Sequence, residues 1–292
     1  EALAALGRLS EARAELDALA AAWPDRAARD EALLAGLRVR AAEDPGDRSA
    51  RIRELFALAS PRTEDLEAAL GAAEAPAAGG ADPSAFSEGE LALFRMRLHI
   101  ARRDYGAAYR ALAPARALLS PDLPRAYLSD AGKAYLYAPA PAEGIAAMTA
   151  LETAAAQGSA GTPAQAGGAA DPREALFIAV FYRARMLARL ERKAEAAAEF
   201  GRAWELAVSG EDRDAAAWYR TDGFLPGGRR EAAAWLARTA PSWHNPASFA
   251  DILERLAREA LLAKDGATLY TLRTEVAPRM SPRAALRLVY LA

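Results

Sequence analysis

The sequence predicts an all-α fold built from antiparallel helical pairs. Composition is the first reason: of 292 residues, 80 are alanine, against five valines and five isoleucines. So few β-branched aliphatic residues cannot furnish the buried strands of a parallel sheet. Ala, Leu, Arg and Glu dominate instead, and all four are strong helix formers. Periodicity is the second reason. Leu91, Phe94, Leu98 and Ala101 recur at one helical face, as do Phe249, Ile252, Leu253, Leu256 and Ala260. The third is punctuation, because helix-start signals stand ahead of the periodic runs: Ser87 with Glu90, Asp171-Pro172 with Glu174, Asn245-Pro246 and Ser281-Pro282.

Taken in chain order, residues 1–70 form an N-terminal helical block. Its segment LGRLSEARAELDALAAAWP (6–24) places Ala12, Leu16 and Leu19 on one face and ends at Pro24. Glu64, Asp65 and Glu67 fall in the first turn of a predicted helix, where they complement its dipole. Residues 71–86 are rich in Gly, Ala, Pro and Ser, lack apolar bulk, and are expected to be a flexible loop. A central helical block follows at 87–156, with ARRDYGAAYRALAPARALLSP (101–121) repeating the first pattern through Ala108, Leu112 and Ala115. Residues 157–172 read as a second flexible loop. The C-terminal block, 173–292, carries the third copy, LERKAEAAAEFGRAWELAV (190–208), with Ala196, Phe200 and Ala203. In each copy a small residue lets two helices approach, and a bulky one fills the gap to the next pair. Both ends of the sequence read as cut from a longer chain, since the first residues look mid-helical and the last fall inside an apolar pattern.

Charge and residue usage narrow the chemistry. There are 37 basic and 39 acidic residues, a net charge of −2, which argues against a general nucleic-acid binder. No cysteine is present, so disulfides, thiol nucleophiles and Cys-based zinc sites are excluded. No apolar run reaches the length of a membrane span. Of the two histidines, His99 has no partner at metal-ligand spacing. His244 sits in the loop Trp243-His244-Asn245-Pro246 without an evident triad. Gly227-Gly228-Arg229-Arg230 lacks the strand and the Lys-Ser/Thr of a phosphate-binding loop, and reads as a turn before a helix. The arginines at 183, 185, 189 and 192 are expected on solvated faces. No cofactor or metal is expected, and no catalytic residue is assigned.

Four of the five tryptophans, Trp204, Trp218, Trp235 and Trp243, lie within 40 residues of one another. Core filling in an alanine-rich chain is the favoured reading of them. An aromatic platform is the other, with Trp218, Tyr219, Trp243 and His244 as its candidate surface.

The three copies resemble the second helix of a tetratricopeptide repeat, and the resemblance implies a right-handed superhelix, an α-solenoid of helical pairs. Leu19 stands where that pattern expects Ala, and the copies are not spaced at multiples of a regular repeat. Residues 173–292 are also similar to the helical superhelix ahead of the catalytic domain in bacterial soluble lytic transglycosylases. Trp218-Tyr219, the Asn245-Pro246…Phe249…Leu253 helix and Leu286…Tyr290 with Ala292 carry this likeness. It implies a cell-wall context in periplasm or envelope, a peptidoglycan glycan or protein partner, and a catalytic domain outside this segment. That family's catalytic Glu is followed by Ser, and the chain contains no Glu-Ser dipeptide. The expected function is therefore a non-enzymatic scaffold. The alternative is a stand-alone protein–protein interaction module, with a cytoplasmic location as the matching alternative.

Overall fold

Capping explains where the helices begin. In the computed structural model, Ser87 and Glu90 close a reciprocal capping box, the Glu90 amide donating to Ser87 Oγ and the Ser87 amide to Glu90 Oε2. Asp171 accepts from the Arg173 amide, with Pro172 in the first turn. Asn245 accepts from Ala247 and Ser248 ahead of the helix that Pro246 opens. The structure describes residues 9–22, 32, 33, 35, 36, 48–59, 61–74, 86–139, 141–158, 171–224 and 228–279. Ser281-Pro282 and Leu286…Tyr290 lie outside them.

Among the described residues the fold is all-α, without strands. The helices are α1 (Leu9–Ala22), α2 (Arg48–Ala57), α3 (Thr63–Glu74), α4 (Glu88–Ala101), α5 (Tyr105–Leu112), α6 (Arg125–Tyr137) and α7 (Pro141–Gly158). They continue with α8 (Pro172–Arg189), α9 (Lys193–Leu206), α10 (Gly210–Phe224), α11 (Arg229–Thr239), α12 (Pro246–Leu262) and α13 (Gly266–Thr271). Of the two expected loops, 71–74 is the end of α3, 157 and 158 are the end of α7, and Pro172 opens α8. Residues 75–85 and 159–170 lie outside the described set.

The chain divides into two units between Pro139 and Ala140, α1–α6 in one and α7–α13 in the other, so the 87–156 block contributes helices to both. From α2 onward, consecutive helices pack on each other within each unit. Alternate helices also meet: α4 with α6 in the first, and α8 with α10, α10 with α12 and α11 with α13 in the second. This is packing compatible with a stack of helical hairpins.

Three hairpins turn in the same way. Arg103, Glu191 and Lys264 adopt φ of 59°, 59° and 54°, the left-handed region that usually favours glycine. Each closes a Schellman motif. The amide of the following residue reaches back five positions (Asp104 to His99, Arg192 to Leu187, Asp265 to Ala260), while that of the left-handed residue reaches back three. Asp104 and Asp265 then cap the next helix, accepting from the amides of Ala107 and Thr268; Arg192 makes no such cap. One three-residue link therefore ends one helix and starts its antiparallel partner. Glu191→Gly is expected to raise stability by about 1 kcal/mol, because only the strain is lost. The ion pair that Glu191 makes with Lys193 is exposed and contributes little. A thermal melt checks this, and a melting temperature below that of the wild type would show that the turn needs its side chain.

The repeat-packing residues take graded positions. Ala12 is buried on α1, whereas Leu16 is half-buried and Leu19 exposed. Ala108 and Leu112 are fully buried on α5, and Ala115 follows in the 3-10 turn Ala113–Leu118. That turn tightens where Pro114 can no longer donate to the α-helical ladder. Ala196, Phe200 and Ala203 are buried on α9. The α12–α13 hairpin, closed at Lys264, belongs with these but differs at its end. Its buried residues Thr268, Leu272 and Val276 are four apart. Such a 4-4 spacing fits one apolar helix face, and the chain widens into a π-turn at Leu272–Val276 over its last two positions.

Candidate functional site

The first unit is organised around a buried charge. Arg97 on α4, only 3% exposed, donates from Nε to Asp130 Oδ2 on α6 at 2.8 Å, donates from Nη1 to the Phe56 carbonyl at the end of α2, and lies over the Tyr127 ring. Lys133 completes the pairing of Asp130. Phe94 stacks on Phe56 and meets Phe86 edge-on, so apolar and ionic contacts converge on the same three helices. His99 is half-buried on α4, and burial pulls its imidazole below the usual range.

In the second unit one expectation is corrected. Arg183, placed by the sequence on a solvated face, is 8% exposed. Its guanidinium joins Glu152 of α7 to Glu199 of α9, and Arg202 bonds both carboxylates from outside. Burial tends to raise the Glu152 pKa, but the hydrogen bonds from Arg183 and Arg202 outweigh it and hold the carboxyl below its ordinary value. Arg185, two residues on and so nearly on the opposite side of α8, lies over Phe181, Tyr182 and Tyr219 rather than in open solvent.

The four candidate surface residues sit on α10 and on the link leading into α12. Tyr219 stacks on Phe200 and receives Arg185 on its ring. Trp218 is half-buried against the core of α11–α13, donates from Nε1 to Asp251 Oδ2 at 3.2 Å, and carries Arg255 over its ring. Arg255 in turn pairs with Asp222, whose carboxyl burial pushes above its usual range despite that cation. Trp243 packs on Phe249 and donates to Thr239 Oγ1. The exposed His244 lies against Gly210, where a Cβ would come within 2.7 Å of its ring. Its imidazole makes no hydrogen bond to the described residues, so nothing there prepares it as an acid or base.

The residue that organises this corner is Asp214, which the sequence reading passed over. It is buried on α10, and its two oxygens accept the backbone amides of His244 at 2.9 Å and Asn245 at 2.6 Å. Those bonds fix the link before α12 and so set the position of Trp243. A carboxylate accepting two amides is a charge-assisted anchor. The sequence signal was faint: a carboxylate in a Ser209…Asp212…Asp214 cluster at a helix start, whose amide partners lie thirty residues on. Among the described residues no group of three or more His, Asp or Glu could hold a metal ion, and no helix is long and apolar enough to cross a membrane.

Comparison with known proteins is silent: the chain matches no protein-family model and no curated protein.

Proposed function

We propose that this chain is a non-catalytic binding scaffold, a tetratricopeptide-like superhelix of helical pairs whose flanks hold a partner. The observation that carries the reading is the recurrence of one hairpin link at Arg103, Glu191 and Lys264, with consecutive helices from α2 onward packed together within each unit and several alternate ones also in contact. Stacking of that kind generates extended faces instead of a single deep cleft. The preferred context is the bacterial cell envelope, as the superhelical part of a lytic transglycosylase-like peptidoglycan-processing protein. The order of aromatic and apolar positions over 173–292 supports it.

Co-sedimentation with purified insoluble peptidoglycan tests this context. The wild-type chain is expected to pellet with the polymer and to be released by soluble glycan fragments. A chain that stays in the supernatant would sink the wall-binding reading. A second reading, a stand-alone protein–protein interaction module, is favoured by three arginines on α10 and α11 that form no ion pair with a described residue.

A further inference from the structure

Most arginines of the second unit are committed. Arg183 and Arg202 serve Glu152 and Glu199, Arg192 serves Glu195, Arg255 serves Asp222, and Arg258 serves Glu254. Arg213, Arg220 and Arg238 form no ion pair with a described residue, and two of them are held over tryptophan rings instead. Arg213 lies over the Trp204 ring at 5.8 Å and Arg220 over the Trp235 ring at 4.9 Å. The two indoles meet edge-to-face at 6.0 Å, joining α9 to α11. Arg213 and Arg220 are both on α10, seven residues and about 10 Å apart along its axis.

The fold holds Arg220 in place at a cost. Its guanidinium presses on Gly201 in the middle of α9, where a Cβ would stand 2.7 Å from Nη1 and 3.0 Å from Cζ. A mid-helical glycine is less favourable than alanine by about 1 kcal/mol. Arg220 Nε is buried without a hydrogen-bond partner. Burial and the neighbouring Arg238 both pull the Arg220 pKa down, and only Glu205 opposes them. At Arg220 one glutamate faces a guanidinium fixed by packing instead of by a carboxylate, with Arg238 beside it, which makes a prepositioned cationic surface.

We propose that Arg213, Arg220 and Arg238, with the Trp204 and Trp235 indoles beneath them, form a docking surface for an acidic peptide segment of a partner protein. The guanidinium fork matches carboxylate geometry. The seven-residue separation on α10 fits carboxylates three residues apart on a polyproline-II segment, which share one face about 9 Å apart. The half-buried Trp204 indole supplies an apolar edge for the methylene stem of an acidic side chain, while the buried Trp235 backs the Arg220 guanidinium from within. The chain's net charge of −2 makes the cationic character local and favours a short acidic segment over a nucleic acid.

The surface stands independently of the envelope reading, since peptide binding and peptidoglycan co-sedimentation can fail separately. Fluorescence anisotropy of a labelled hexaglutamate peptide on the full chain provides the test. Saturable binding that weakens with salt is expected, with affinity about tenfold lower in Arg213→Gln/Arg220→Gln. Arg238→Gln, at an exposed position, is a second variant that keeps the fold and is expected to weaken binding as well. The melting temperature of each variant shows that folding is retained. Absence of binding by the wild type, undiminished binding by both variants, or tighter binding of a single-stranded oligonucleotide of equal charge would each overturn the proposal.

Discussion

Replacing Arg97 by methionine is expected to cost the first unit about 3–5 kcal/mol. The substitution keeps the aliphatic stem, so the loss reflects charge and hydrogen bonding, not a large cavity. Asp130, whose side chain is 7% exposed, would keep only Lys133, and the Phe56 carbonyl would lose its donor. A buried carboxylate stripped of its main partner carries most of its desolvation cost uncompensated. Small domains have only about 5–15 kcal/mol of stability in total, so the first unit would be left marginal. Hydrogen exchange read at the amides of α4 and α6 measures this locally, and the second unit should be unaffected. The double change Arg97→Met/Asp130→Leu should recover most of the loss, because removing both charges leaves no orphan. Wild-type exchange in the single variant would mean that the pair contributes nothing, and failure of the double variant to recover would mean that shape, not charge, matters there.

Truncating Phe200 to alanine is expected to destabilise the second unit by about 3–5 kcal/mol. Its ring is 1% exposed, stacks on Tyr219 at 5.5 Å and meets Phe181 edge-on at 5.9 Å. It is therefore shared by α8, α9 and α10, and its removal would open a cavity where three helices meet. Chemical denaturation followed by amide exchange should show accelerated opening of those three helices, with α12 affected least. Phe200→Leu, which fills more of the space, should lose less. Equal losses for alanine and leucine would indicate that ring stacking, not volume, sets the contribution.

What could be read from the sequence follows physical locality. The α12 face was legible because all five of its periodic residues, from Phe249 to Ala260, are buried on one stripe. The caps at Ser87, Asp171 and Asn245 were legible because capping is settled within three or four residues. The α4 stripe was read too narrowly: Ala101 is exposed, while Ala92, Leu93, Met96 and Ile100 are buried, since this helix is covered by α3, α5 and α6 together. Arg97 and Arg183 were out of reach. Whether an arginine faces water or a buried carboxylate depends on residues such as Asp130 and Glu152, more than thirty positions away. The α12–α13 hairpin escaped the repeat comparison because its inward residues Thr268, Leu272 and Val276 follow a 4-4 spacing where the three copies follow 4-3. Lys264-Asp265-Gly266 and Arg103-Asp104-Tyr105 nevertheless share the turn, and the Asp after the left-handed residue was the available signal.

The Arg183 bridge has a mechanical consequence. Stacked helices can ordinarily peel away one at a time from an open end, because each holds only its neighbours. Here the first helix of the second unit, α7, is tied through a shared cation to α9, which is not adjacent to it in sequence. Lifting α7 alone would strand Arg183 with half of its charge balance inside the protein, so α7, α8 and α9 must come apart in a single step. Under an unfolding force this triplet would act as a clasp that prevents unravelling from its N-terminal side, and the more loosely tethered helices beyond it would yield first.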